Sequence, residues 1–216
     1  GPKSAEAVAA AFGIEVRALQ LLHTLPATIG GQQGLILRTE ETGEQDFEVL
    51  LPADAVPAAW NQLMTSGAPF GIKPVGAQAR ELLRIEAGLP KAGPDLNEEI
   101  VPPEANLEGK AFSLSKGCYP GQEVVARMDT YGNVRRHLVG LIIQDKTVPP
   151  AGSKLFSGDR EVGWVSSAVF SPQRNAALAF GFPLRDFSAP DTTLTVEVAG
   201  TRHQATVHAL PFQKHS

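Results

Sequence analysis

The chain has 216 residues, 43% of them hydrophobic and 19% charged, with a net charge of −4. These are ordinary values for a folded protein able to bury a good core as one large domain or two modest ones, and the acidic balance gives no electrostatic case for direct nucleic-acid binding. A single cysteine excludes an intramolecular disulfide framework and cannot alone ligate zinc or an iron–sulfur cluster, and no apolar run approaches the roughly 18 residues a spanning helix needs.

Taken in chain order, Ser4 is placed to cap a helix from about Ala5 to Phe12, with Val8, Ala9, Ala11 and Phe12 on one side and Gly13 as its stop. Ile29 to Gln33 reads as a turn. Gly34 to Arg38 and Phe47 to Leu51 alternate like hairpin partners across a turn at Thr42-Gly43-Glu44-Gln45-Asp46. Asp54 is placed to cap a helix that runs through Trp60 and Met64 to Gly67. A strand is expected near Gly71 to Val75, then a helix from Ala77 to Ala87 stopped by Gly88 and Pro90. Helices alternating with a hairpin in this order indicate an α+β layer.

Residues 88–115 change character. Four prolines and five acidic residues make a long irregular connection, and such connections in compact domains are usually functional. Beyond Arg135 the pattern becomes all-β. Short strands are expected at Val139–Ile143, Lys154–Phe156, Val162–Val165, Ala176–Phe182, Leu194–Val198 and His203–Leu210, with turns that favour a small barrel or sandwich. The division expected is therefore 1–134 and 135–216.

Between these halves lies Lys116-Gly117-Cys118-Tyr119-Pro120-Gly121-Gln122-Glu123. The glycines and proline set a tight turn, and Gln122 to Met128 reads as a short helix. Cys118 then falls just ahead of a helix N-terminus, with Lys116 two residues before it; both favour a thiolate. The same residue type is also a common small buried hydrophobe. Arg135-Arg136-His137 is a local basic patch, able to meet an anionic partner or to be a solvated turn. No histidine has metal-ligand spacing with a partner, and no metal is expected.

The octapeptide resembles the K-G-C-Y-x-G-Q-E signature of YgfZ-type proteins, folate-binding relatives of the glycine-cleavage aminomethyltransferase (T-protein). Thr42 to Glu48 resembles the T-G-E-D-G-x-E turn of that family, with Asp46 where glycine is usual. Ala79 to Gly88 resembles its A-R-x-x-L-R-x-E-A-G helix. The resemblance implies an aminomethyltransferase-like α+β folate-binding part followed by a β-barrel, with a further N-terminal stretch before the first helix. It implies tetrahydrofolate or a one-carbon derivative as cofactor, with Glu48 on the pterin and Arg80 in the folate site. Arg84, one turn from Arg80, is taken with it. Cys118, with Lys116 beside it, becomes a functional thiol, and Gly117, Tyr119, Gly121, Gln122 and Glu123 complete the signature. The activity implied is service to iron–sulfur enzymes and tRNA modification, in the cytoplasm or, in a eukaryote, the mitochondrial matrix. The alternative is a folate-dependent aminomethyltransferase or methyltransferase of the T-protein type.

Overall fold

The computed structural model describes residues 1–115, 117–123, 125–126 and 134–213. They fall into two units that divide between Leu83 and Arg84.

The first unit is built on an antiparallel sheet of β1 (Thr24–Ile29), β2 (Gln32–Thr39) and β3 (Asp46–Leu50), with β2 in the middle. Period-two alternation gives each strand one inward set. Leu25, Ala27 and Ile29 on β1, Ile36 on β2, and Phe47 and Val49 on β3 join a core with residues of α1 (Ser4–Phe12) and α2 (Val56–Gly67). Gly13 ends α1 in the left-handed region at φ 69°, and its N–H bonds Ala9 O, as its lack of a Cβ allows. Neither expected cap is made. Ser4 is already helical and its hydroxyl donates to Gln45 O at 2.5 Å instead, while Ala55, not Asp54, precedes α2 without a side-chain cap. β1 was hidden because Pro26 and the polar Thr24 and Thr28 break its apolar signal; it is an edge strand, where proline costs no ladder bond. The segment from Gly71 to Val75 is irregular, not a strand.

α3 spans Ala77–Glu86. In the second unit its last turn meets a barrel of β4 (Val139–Ile143), β5 (Lys154–Ser157), β6 (Arg160–Ser171), β7 (Ala176–Gly181), β8 (Thr193–Val198) and β9 (Thr201–His208). The order β4-β7-β6-β5-β8-β9 closes through β4 and β9, so a barrel, not a sandwich, resolves the expectation and leaves no open edge. Inside are Leu141, Ile143, Leu155, Val165, Leu194 and Val196, all essentially inaccessible. Small residues permit tight strand approach: a Cβ on Gly163 would lie 2.3 Å from Phe182 O.

A buried polar cluster ties α3 and the irregular segment to β6. Arg84 Nη1 donates to Asp95 Oδ2 and to Leu89 O, each at 2.9 Å, and Nη2 donates to Ser167 Oγ at 2.9 Å. Asp95, fully buried, also accepts from Ser166 Oγ at 2.6 Å, Ser167 Oγ at 2.7 Å and the Lys91 N–H at 3.1 Å. Adjacent strand residues normally face opposite ways. Here the β6–β7 register shifts between Val165 and Ser167, and the bulge brings both hydroxyls to one carboxylate. Glu86, also buried, accepts from Ser171 Oγ on β6 at 2.7 Å.

Removing one member of such a pair leaves the other buried and uncompensated, at about 3–5 kcal/mol. Arg84→Met is therefore expected to lower unfolding free energy in urea by about that amount, and Arg84→Met/Asp95→Leu to recover much of it. A second expectation concerns acid. Asp145 accepts from His203 Nδ1 at 2.5 Å and from the Thr147 N–H at 2.8 Å, and these bonds, His203 first, hold its carboxyl below the ordinary value. Its contribution is present above the unfolded carboxylate pKa and lost as pH falls through the folded one. Acid titration of stability in His203→Phe should show a shallower loss across that window than in the parent chain.

Candidate functional site

Glu48 lies on the outward set of β3. Register places it opposite Leu37, with the Leu35–Leu50 pair next along the ladder and Pro26 beyond Leu35. Leu35 is 40% and Leu50 48% exposed, and Glu48 is exposed among them. This face carries a carboxyl acceptor with aliphatic carbon on one side of it. The surroundings suit a flat molecule with an N–H edge and an apolar body, because the carboxylate accepts bidentate hydrogen bonds while the leucines cover the rings.

The turn before β3 is closed by Asp46. Its Oδ2 accepts the N–H groups of Glu41 and Thr42, both at 2.8 Å, and the Thr42 hydroxyl donates to the same carboxylate at 2.8 Å. The departure from the family's glycine at this position thus installs an anchor for the turn. Glu41, held by its backbone, accepts from Arg80 Nη2, and both side chains are substantially exposed. Asp46, Glu41 and Arg80 therefore form a chain of contacts within the first unit.

Arg84 belongs to a different environment. One turn beyond Arg80, it is buried in the second unit with donors on Asp95, Leu89 O and Ser167 and its guanidinium 5.5 Å from the Phe180 ring. Helical spacing puts the two arginines on neighbouring faces but says nothing of what each face meets. Within the basic patch, Arg136 lies 4.8 Å over the Trp164 ring, which stacks on Phe182.

Cys118 is exposed, in the second unit. It precedes a turn stitched by Gln122, whose N–H donates to Tyr119 O at 3.2 Å while its Oε1 accepts the Tyr119 N–H at 3.0 Å. Gly121 holds φ 85° there. Gln122, Glu123, Val125 and Ala126 are helical, as the spacing implies. Lys116, Arg127 and Met128 lie outside the described residues. Gln122 and Gly121 thus have structural duties in the signature, and the thiol is presented to solvent, not packed as a hydrophobe. Among the described residues no group of three or more potential metal ligands forms, and no helix is long and apolar enough to cross a membrane.

An α+β unit followed by a unit that ends in a closed six-stranded barrel defines the architectural class. Residues 1–114 match the GCVT N-terminal domain and residues 136–214 the glycine cleavage T-protein C-terminal barrel domain. An aminomethyltransferase of Saccharopolyspora erythraea is 34% identical over 99% of this chain and 58% of its own length, and one of Chlorobium limicola 35% identical over 84% and 50%. The crystal structure of the glycine cleavage system aminomethyltransferase T of Bartonella henselae superposes with a TM-score of 0.87 at 28% identity, covering 99% of this chain and 58% of that one. The chain belongs to the glycine-cleavage T-protein family. It spans about half the length of the curated relatives it matches, and these carry the name aminomethyltransferase, not that of the iron–sulfur branch suggested by Cys118.

An exposed thiol makes a direct expectation. Titration of the native chain with an aromatic disulfide reagent should release one equivalent of chromophore without denaturant, and Cys118→Ser should release none.

Proposed function

We propose that this chain is the folate-holding portion of a protein of the aminomethyltransferase type, taking tetrahydrofolate or a one-carbon derivative at the outward face of β3. The observation that carries the reading is Glu48, an exposed carboxylate among the exposed Leu35 and Leu50. Its donor chemistry fits a pterin: the carboxylate takes the two N–H groups of the aminopyrimidine edge, and the aliphatic neighbours cover the ring. Arg80 exchanges Glu41 for an anionic or carbonyl group of the ligand, at little cost because an exposed pair contributes at most about 1 kcal/mol. Arg84 is left out of the ligand set, since its buried bonds to Asp95 and Ser167 cannot be given up cheaply. Folate, when bound, supplies the acceptor for a one-carbon group; this chain's residues bind and orient it.

A second reading is favoured by one observation, the exposed Cys118 in its signature turn. By its resemblance to the YgfZ-type signature, the same folate platform serves iron–sulfur enzymes, with the thiol as the working group. A strain carrying Cys118→Ala in place of the parent sequence decides this: reduced iron–sulfur enzyme activity supports the thiol reading, and full activity removes it.

For the folate site, calorimetric titration with tetrahydrofolate is expected to show binding that Glu48→Ala weakens by about 10- to 100-fold, the 1.5–3 kcal/mol of a charged hydrogen bond. Arg80→Ala should weaken it by a smaller factor. Binding unchanged in both variants overturns the assignment.

A further inference from the structure

Two cavities of the barrel-containing unit share a wall. One encloses about 440 Å³, the other about 340 Å³, and both are lined by Asn106 and His137. The larger has the size of a small-molecule site, and Glu48, Arg80 and Cys118 are not among its lining residues. Its polar groups are Asn106, Lys110, His137, Ser188 and His208, set among apolar walls such as Leu138 and Pro211.

The state of each group follows from its partners. Asn106, in the left-handed region at φ 55°, donates its Nδ2 to Leu138 O at 2.8 Å, which leaves its carbonyl oxygen as acceptor. His208 Nδ1 lies 2.5 Å from Ala209 O. A carbonyl only accepts, so Nδ1 carries a hydrogen and donates it there. The ring is fixed by stacking on Phe212, centroids 5.3 Å apart. Lys110 has no ion pair and the His137 side chain no hydrogen bond among the described residues. Elsewhere in this unit the buried cation, Arg84, is held by Asp95, Leu89 O and Ser167. Among the described residues, an ammonium without an ion pair and an imidazole without a side-chain hydrogen bond line one cavity, and both suit an anion.

We propose that this cavity binds a small organic anion, a carboxylate or a phosphate ester, held by Lys110 and His137, and that His137 takes up a proton as the anion enters. The surrounding charges give the proton its role. Burial first, then the positive charge of Arg185, hold His137 below the ordinary imidazole value, while Glu104 acts in the opposite sense. Lys110 and His208 face the same cavity, and Glu108 lines the smaller one with His137. Glu104 lines neither, so its carboxylate does not occupy the place an anion would take. An anion beside His137 offsets both burial and Arg185. The bound complex therefore holds the proton at higher pH than the empty site does, and affinity rises as pH falls between those two values.

The test follows the His137 ring protons by NMR in the full chain, titrated separately with glutarate and with sulfate, a tetrahedral anion of constant charge over this range. The expected result is a saturable shift with at least one of them, with dissociation constants that fall as pH is lowered from 8 through the titration of the His137 ring, by about tenfold in all for one unit of pKa change on binding. Lys110 is exposed, so Lys110→Met should keep the fold and weaken binding about tenfold or more, whereas Lys146→Met outside the cavity should not. Saturation by glutarate alone assigns a carboxylate ligand, and by sulfate alone a phosphate ester. No saturable His137 shift with either anion, or binding indifferent to Lys110→Met, overturns the proposal. The outcome is separate from the folate titration, because the variants and probes differ.

Discussion

The carboxylate of Asp95 is the constraint on which the second unit depends. A lone carboxylate in so dry a place would cost several kcal/mol; four protein groups, the Arg84 guanidinium, two serine hydroxyls and the Lys91 N–H, converge on it. That convergence orders a segment which has neither helix nor strand to order it. Residues 88–115 are pinned at Asp95, again where Glu104 O accepts the Leu138 N–H at 2.7 Å, and again where Asn106 donates to Leu138 O. Irregular backbone can hold a fixed course when its few buried polar groups are fully matched. The bulge in β6 is part of the same device, because without it one of Ser166 and Ser167 would face away.

Where one face of an element is buried, the sequence carried its own signature. α1 and α3 are legible because their apolar residues recur at the helical period, barrel strands such as β4 and β7 as short apolar runs bounded by turns, and the hairpin of β2 and β3 because a Gly-containing turn separates two alternating runs. β1 was not legible: Pro26 and two threonines on its outward set left only Leu25, Ala27 and Ile29, too sparse to read against a turn-rich flank. The expected strand at Gly71–Val75 has the composition of one but no described partner ladder, and β-propensity records packing against neighbours more than any preference of the chain itself. Ser4 has the chemistry of a cap, but the helix begins at Ser4 itself, and its hydroxyl donates to Gln45 O far away in sequence.

Site residues divide in the same way. Glu48 and Arg80 could be singled out only through resemblance, since an acidic hairpin and a charged helix face are common surface chemistry. The structure adds what period and composition do not contain: which leucines surround Glu48, and that Asp46 and Glu41 hold Arg80. Asp95, Ser166, Ser167 and Ser171 were missed altogether. A signal existed, in adjacent serines within an otherwise apolar strand run. Polar residues there imply a buried partner, but nothing local says that the partner is an aspartate some 70 positions earlier.

Arg80 and Arg84 show why burial, more than residue type, separates an arginine that can exchange its partner from one that cannot. They lie four positions apart on α3, with the same guanidinium and the same donors. Arg80 meets Glu41 in water, where mutual attraction is nearly offset by solvation and side-chain entropy, so exchanging one anion for another is nearly free. Arg84 meets Asp95 where both have already lost their hydration, and leaving that partner strands a charge. A ligand could recruit the first with a modest interaction, but would have to outbid the whole Asp95 cluster to recruit the second. On this helix, then, partner exchange is cheap only at the turn where the arginine's present partner is weakly held.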